Sequence, residues 1–242
     1  LFCKSVDAEA YGTDRTSISQ RQEIGAHDRI VEDNDVPHRF CVLNNDAKLL
    51  FLHENNHQRA MNYIKGELSG VWIIEPRRIT DSRGYFCETF RADEFRRIVG
   101  PVDFVQENES ESVHGVIRGL HYQAGAASQA KLVSVCSGSI VDVAVDLRRS
   151  SPTFGRSMLI KLDSDSGCRL YIPRGFAHGF AVLSERARFQ YKVDNYYCPL
   201  SERTIRVDDP DLSIDWPLSA AEMILSDKDR NGTPFSSAEL FD

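Results

Sequence analysis

The chain has 242 residues, 41% of them apolar, 10% aromatic and 27% charged, a mix that supports a sizeable buried core and excludes disorder throughout. Basic residues number 29 and acidic ones 36, a formal charge of −7 with no Lys/Arg stripe, so the electrostatic footprint that nucleic acid requires is missing. Apolar runs such as 49–52 fall far short of the ~20 residues that a bilayer span needs, which argues against a transmembrane helix.

Residues 1–60 carry four of the seven histidines and no methionine, and the first methionine is Met61. The expectation is that Met61 is the working start, that 1–60 is an extension of unknown role, non-native or poorly ordered, and that 61–242 forms one domain. His53 and His57, four apart, would share one face of a helix as a metal pair. Their neighbours Asn55, Asn56 and Gln58 instead read as a solvated polar stretch. None of the six cysteines forms a CxxC and no apolar leader opens the chain, which points to reduced thiols in a cytoplasmic protein.

Beyond Met61 the texture changes to short β-rich segments closed by turn residues. Strands are expected over 71–74, 85–90, 116–122, 132–136, 140–147, 158–162, 169–172, 180–183 and 189–193, and a helix over 93–99. Many strands at intervals of about 8–12 residues read as an all-β sandwich or barrel. In 140–147, Val141, Val143, Val145 and Leu147 share one face while Asp142 and Asp146 share the other. A carboxylate-bearing face borders either water or a polar cavity, so a barrel with a polar interior pocket is expected.

Two patterns match the halves of the cupin signature: Gly115 six residues before His121, and Gly167, Pro173, Gly175 and His178 in the spacing G-x5-P-x-G-x-x-H. The fold class is therefore an all-β, cupin-type jelly-roll barrel with a few short helices. The metal-binding form of the signature needs His-x-His followed closely by Glu. Here Gln123 follows Tyr122, and the next thirteen positions hold no Glu, Asp or His, so no metal is expected and turnover should survive chelation.

Without a metal, His121 is a structural histidine or an acid–base group. Arg118, Lys131 and the tyrosines at 191, 196 and 197 favour proton abstraction next to a carbonyl. Lys131 would stabilise the oxyanion, His121 would take the proton, and a tyrosine would return one from the opposite face. Strict alternation sends Arg118 and His121 to opposite faces of their strand. Either Gly119 is a bulge that resets the register, or Arg118 acts at the strand end or toward a neighbouring subunit.

These residues resemble the dTDP-4-dehydrorhamnose 3,5-epimerase family. The likeness runs from about Tyr63 to Arg230 through ordered blocks that include Asp81-Ser-Arg-Gly-Tyr-Phe, Arg118-Gly-Leu-His-Tyr-Gln, Ile172-Pro-Arg-Gly-Phe-Ala-His-Gly-Phe and Leu225-Ser-Asp-Lys-Asp. The resemblance implies that His121 is the base, oriented by Asp229, that Lys131 stabilises the enolate, and that Tyr191 is the acid on the far face. It implies that Arg83, Phe86, Glu88, Gln106, Asn108, Arg118, His178 and Tyr197 hold the nucleotide, its pyrophosphate or the sugar. It further implies a homodimer with exchanged N-terminal strands, no cofactor, and inversion of C3 and C5 of dTDP-4-dehydro-6-deoxy-D-glucose. The alternatives are a relative that inverts only one carbon, a noncatalytic sugar-nucleotide-binding cupin, and a metal-dependent cupin oxygenase.

Overall fold

The computed structural model describes residues 60–242, so the expectations placed on the preceding segment, the His53/His57 pair included, lie outside the described residues. In chain order the elements are β1 (Met61–Lys65), β2 (Trp72–Pro76), β3 (Arg78–Asp81), β4 (Gly84–Cys87), α1 (Ala92–Ile98), β5 (Gln106–Val113), β6 (Ile117–Gln123), β7 (Lys131–Ser137), β8 (Ser139–Asp146), β9 (Ser157–Asp163), β10 (Arg169–Ile172), β11 (Phe176–Val182), β12 (Arg186–Val193), β13 (Glu202–Thr204) and α2 (Asp227–Arg230). The all-β reading holds: 45% of the described residues are in strands and 11% in helices. No helix of the described residues is long and apolar enough to cross a membrane.

Two antiparallel sheets face each other, one ordered β1-β2-β10-β7-β12-β5 and the other β13-β6-β11-β8-β9, and β3-β4 forms a separate hairpin. The space between them is filled from both sides, by Ile73, Val133, Leu170 and Phe189 of the larger sheet and by Ile140, Ala144, Ile160 and Phe180 of the smaller. The helix over 93–99 forms one residue earlier. Its first turn carries Asp93 and Glu94 and its last Arg96 and Arg97, charges that complement the helix dipole. It lays Phe95 on the outer face of the larger sheet against Met61, Ile74, Leu132 and Tyr171.

The valine face of β8 points away from this central core. Val143, Val145 and Leu147 pack under the C-terminal segment with Ile205, Val207, Trp216 and Phe241. Asp142 and Ala144 face inward, which is how a carboxylate comes to lie fully buried between the sheets.

Candidate active site

The site is built on β6 and β11, whose pairing carries an irregularity. His178 lies opposite His121 and Phe180 opposite Arg118, so Gly119 and Leu120 together face Gly179 alone. That extra residue is a β-bulge, and it turns Arg118 and His121 to the same, inward face. Glycine is required on both sides: a Cβ on Gly119 would stand 2.7 Å from the Gly179 Cα, and one on Gly179 would stand 2.8 Å from the Arg118 carbonyl oxygen. The conflict over Arg118 thus resolves in favour of the bulge. Arg118 Nε donates to Ser112 Oγ of β5 at 3.0 Å, bridging the two sheets.

His121 Nε2 lies 2.5 Å from Asp229 Oδ1. Burial alone would raise the Asp229 carboxyl, but hydrogen bonds from His121, Ser226 and the Gly119 backbone outweigh it and hold the group below its ordinary value. An ionised carboxylate only accepts, so Nε2 carries the hydrogen and Nδ1 keeps a free lone pair. Asp229 sits in α2, whose N-cap Ser226 accepts the Asp229 N–H.

Lys131, at the start of β7, is buried and donates from Nζ to the His121 carbonyl oxygen at 3.3 Å. Burial pulls its ammonium down to about 8, against the attraction of Asp142 and Glu202 and with further repulsion from Lys228. Opposite His121, the buried His178 Nε2 meets both oxygens of Asp142, at 3.1 and 2.9 Å. Burial, rather than its partner, dominates here and lowers the His178 imidazole.

Tyr191 of β12 pairs across the sheet with Asn108 of β5. Burial raises its phenol, and a hydrogen bond with Asn108 offsets part of that shift. Asn108 accepts from Gln106 Nε2 at 2.9 Å, and Gln106 Oε1 accepts the Tyr197 N–H at 3.1 Å, so the polar inner edge of β5 fastens the tyrosine loop. Two charged residues that the sequence reading missed border this group. Glu202 of β13 is held by Lys228 Nζ at 2.6 Å and by the Tyr197 hydroxyl, and its carboxylate interacts with His121, Lys131 and Tyr191.

Arg83, Phe86 and Glu88 stand apart from the cluster. Arg83 pairs with Asp81 at the tip of the β3–β4 hairpin with 87% of its side chain exposed, Phe86 is 70% exposed, and Glu88 accepts from Arg91 at 2.7 Å. Of the twelve residues singled out, the fold gathers His121, Asp229, Lys131, Tyr191, His178, Gln106, Asn108, Arg118 and Tyr197 around one mouth between the sheets. Among the described residues no group of three His, Cys, Asp or Glu side chains converges to hold a metal ion. Both histidine Nε2 atoms of the site are committed to carboxylates.

Residues 65–237 match the family model described as dTDP-4-dehydrorhamnose 3,5-epimerase. A relative of that name from Shigella flexneri is 47% identical over 182 residues, covering 75% of this chain and 99% of its own. Among solved structures, the dTDP-4-dehydrorhamnose 3,5-epimerase of Elizabethkingia anophelis is 47% identical, with a TM-score of 0.73 over 75% of this chain and all (100%) of that one. The dTDP-6-deoxy-D-glucose-3,5-epimerase of Legionella pneumophila, solved with dTDP-4-keto-L-rhamnose, is 46% identical, with a TM-score of 0.70 over 73% and 94% of the two chains.

Proposed function

The chain belongs to the dTDP-4-dehydrorhamnose 3,5-epimerase family of isomerases, and from that membership and the site's geometry we propose that it inverts both carbons flanking the ketone of dTDP-4-dehydro-6-deoxy-D-glucose. The observation that carries the reading is the His121–Asp229 contact at 2.5 Å, with the Lys131 ammonium beside the same strand.

C3 and C5 both neighbour the C4 carbonyl, so removal of either hydrogen places the same negative charge on O4. His121 Nδ1 takes the proton, and Asp229 stabilises the imidazolium that results. The Lys131 ammonium stands where the oxyanion develops; a preorganised donor of this kind contributes roughly 3–4 kcal/mol to the barrier. Tyr191, whose phenol burial keeps protonated at neutral pH, returns a proton from the opposite face, and the carbon is inverted. His121 then loses its proton to water and the Tyr191 phenolate regains one from water, which ties each inversion to uptake of solvent hydrogen. Arg118 serves the diphosphate, with Gln106, Asn108, His178 and Tyr197 around the sugar and nucleotide. Residues 61–242 constitute the epimerase domain, and it works as a homodimer in which the exposed β3–β4 hairpin brings Arg83, Phe86 and Glu88 to the partner's site.

Turnover in heavy water tests this. The expected product is the L-configured keto sugar with deuterium at both C3 and C5. Label at one carbon only would make the enzyme a single-carbon epimerase, and binding without label or product would leave a noncatalytic sugar-nucleotide-binding protein.

A further inference from the structure

Asp229 Oδ1 is taken by His121, and its other oxygen is taken as well. Oδ2 accepts from the Ser226 hydroxyl at 2.7 Å, while the Ser226 oxygen accepts the Asp229 backbone N–H at 3.2 Å. A hydroxyl has one hydrogen to give and two lone pairs, so both bonds form together and grip Asp229 by backbone and side chain at once. The segment that carries Ser226 is itself fixed. Ile224 N–H donates to the Gly115 carbonyl at 2.8 Å and the Ile117 N–H donates to the Ile224 carbonyl at 3.0 Å. Ile117 opens β6, the strand of His121, so the histidine and its aspartate are anchored to one frame just upstream of both.

A helix cap does not need the hydroxyl hydrogen: Asp or Asn would cap as well as Ser, and Gly nearly as well. What Ser226 adds is a donor aimed at the carboxylate oxygen that His121 does not use. We infer that Ser226 is a positioning residue of the reaction: its hydroxyl fixes the rotation of the Asp229 carboxylate and thereby keeps His121 in the Nε2–H tautomer with Nδ1 turned to the substrate. Without that donor the carboxylate turns about its last side-chain bond, and the short contact to His121 lengthens. The inference rests on the proposed roles of His121 and Asp229.

Three variants of the full chain separate donation from capping. Ser226→Gly keeps most of the cap but removes the donor without adding a charge, Ser226→Ala removes both, and Ser226→Thr keeps both. The expected result is a fall in kcat of about tenfold or more for Ser226→Gly and Ser226→Ala, with KM for the dTDP-keto sugar within about twofold, and near-complete recovery in Ser226→Thr. The downfield imidazole N–H resonance of His121 in the proton NMR spectrum should persist in Ser226→Thr and be lost in Ser226→Gly. If Ser226→Ala does not fold, Ser226→Gly decides alone. Wild-type kcat in Ser226→Gly would overturn the inference and leave Ser226 as a cap. If His121→Ala, assayed alongside, also turned over normally, the mechanism itself would fall and this inference with it.

Discussion

Lys131 is the residue at which function and stability pull in opposite directions. Its folded-state value of about 8 lies below the 10.5 of an exposed lysine, because burial disfavours the ammonium more than Asp142 and Glu202 favour it. In the proposed mechanism the enolate needs the charged form, so kcat should fall as pH rises through about 8, and Lys131→Met should lose both that alkaline limb and roughly 10²–10³-fold in rate. For stability the sign is opposite. The unfolded chain binds this proton more tightly, so the burden of the buried charge is full below about 8 and is relieved as pH rises toward 10.5. Lys131→Met should therefore be more stable at neutral pH, by on the order of 3 kcal/mol, in a urea titration. A Lys131→Met variant that keeps the alkaline limb, or is less stable than the parent, would contradict this account of the lysine. Asp229→Asn complements the test: it removes the charge that fixes the imidazole, and kcat should drop about 10²–10⁴-fold. Of the proposed catalytic positions, His121, Lys131 and the tyrosines stood out in the sequence through the company they keep, whereas Asp229 entered only through the resemblance to the family. Glu202 and Lys228 did not stand out, since a lone surface glutamate and a lysine between two aspartates look like ordinary solvated charges until β13 and α2 bring them together at 2.6 Å.

At the scale of elements, the decisive feature is the bulge between β6 and β11. The sequence showed the conflict, because Arg118 and His121 are an odd number of residues apart, and showed the glycine that could relieve it. It did not show Gly179 as the second half of the device, since the contact joins residues far apart in the chain. Gly119→Ala should be destabilised by about 1–3 kcal/mol, because its Cβ would meet backbone that cannot yield cheaply. Its activity loss should exceed what the unfolded fraction explains, because any shift of register parts His121 from Asp229. Thermal unfolding and kcat measured on the same preparation check this, and loss of stability without extra loss of rate would mean that the bulge is structural only. The strand most obscure to sequence reading was β5, whose Gln-Glu-Asn-Glu-Ser-Glu-Ser-Val has almost no apolar residue. Its inner positions, Gln106, Asn108 and Ser112, line the polar mouth, and its outer glutamates pair with Arg186, Arg188 and Lys192 of β12. A strand with polar duties on both faces lacks the alternation that pattern reading depends on.

At the scale of the whole molecule, one chain presents most of a site and a hairpin that does not join it. Ile79, Tyr85 and Phe86 are exposed on that hairpin, as are Tyr196, Tyr197 and Leu200 at the mouth, so each region offers the apolar surface that the other lacks as a cover. If the hairpin of one protomer completes the barrel of the other, a defect in His121 and a defect in Arg83 carried by different chains fall together in one site of a mixed dimer and leave its other site intact. His121→Ala and Arg83→Ala, each inactive alone, should then recover about a quarter of the parental activity when unfolded and refolded together at equal amounts, since half of the dimers are mixed and each has one intact site. Delivery of the hairpin within its own chain predicts no recovery, because every site would then carry one defect or the other. Sedimentation of the parental chain supplies the control: a monomer at assay concentration would remove the proposed exchange, whatever the mixing experiment gave.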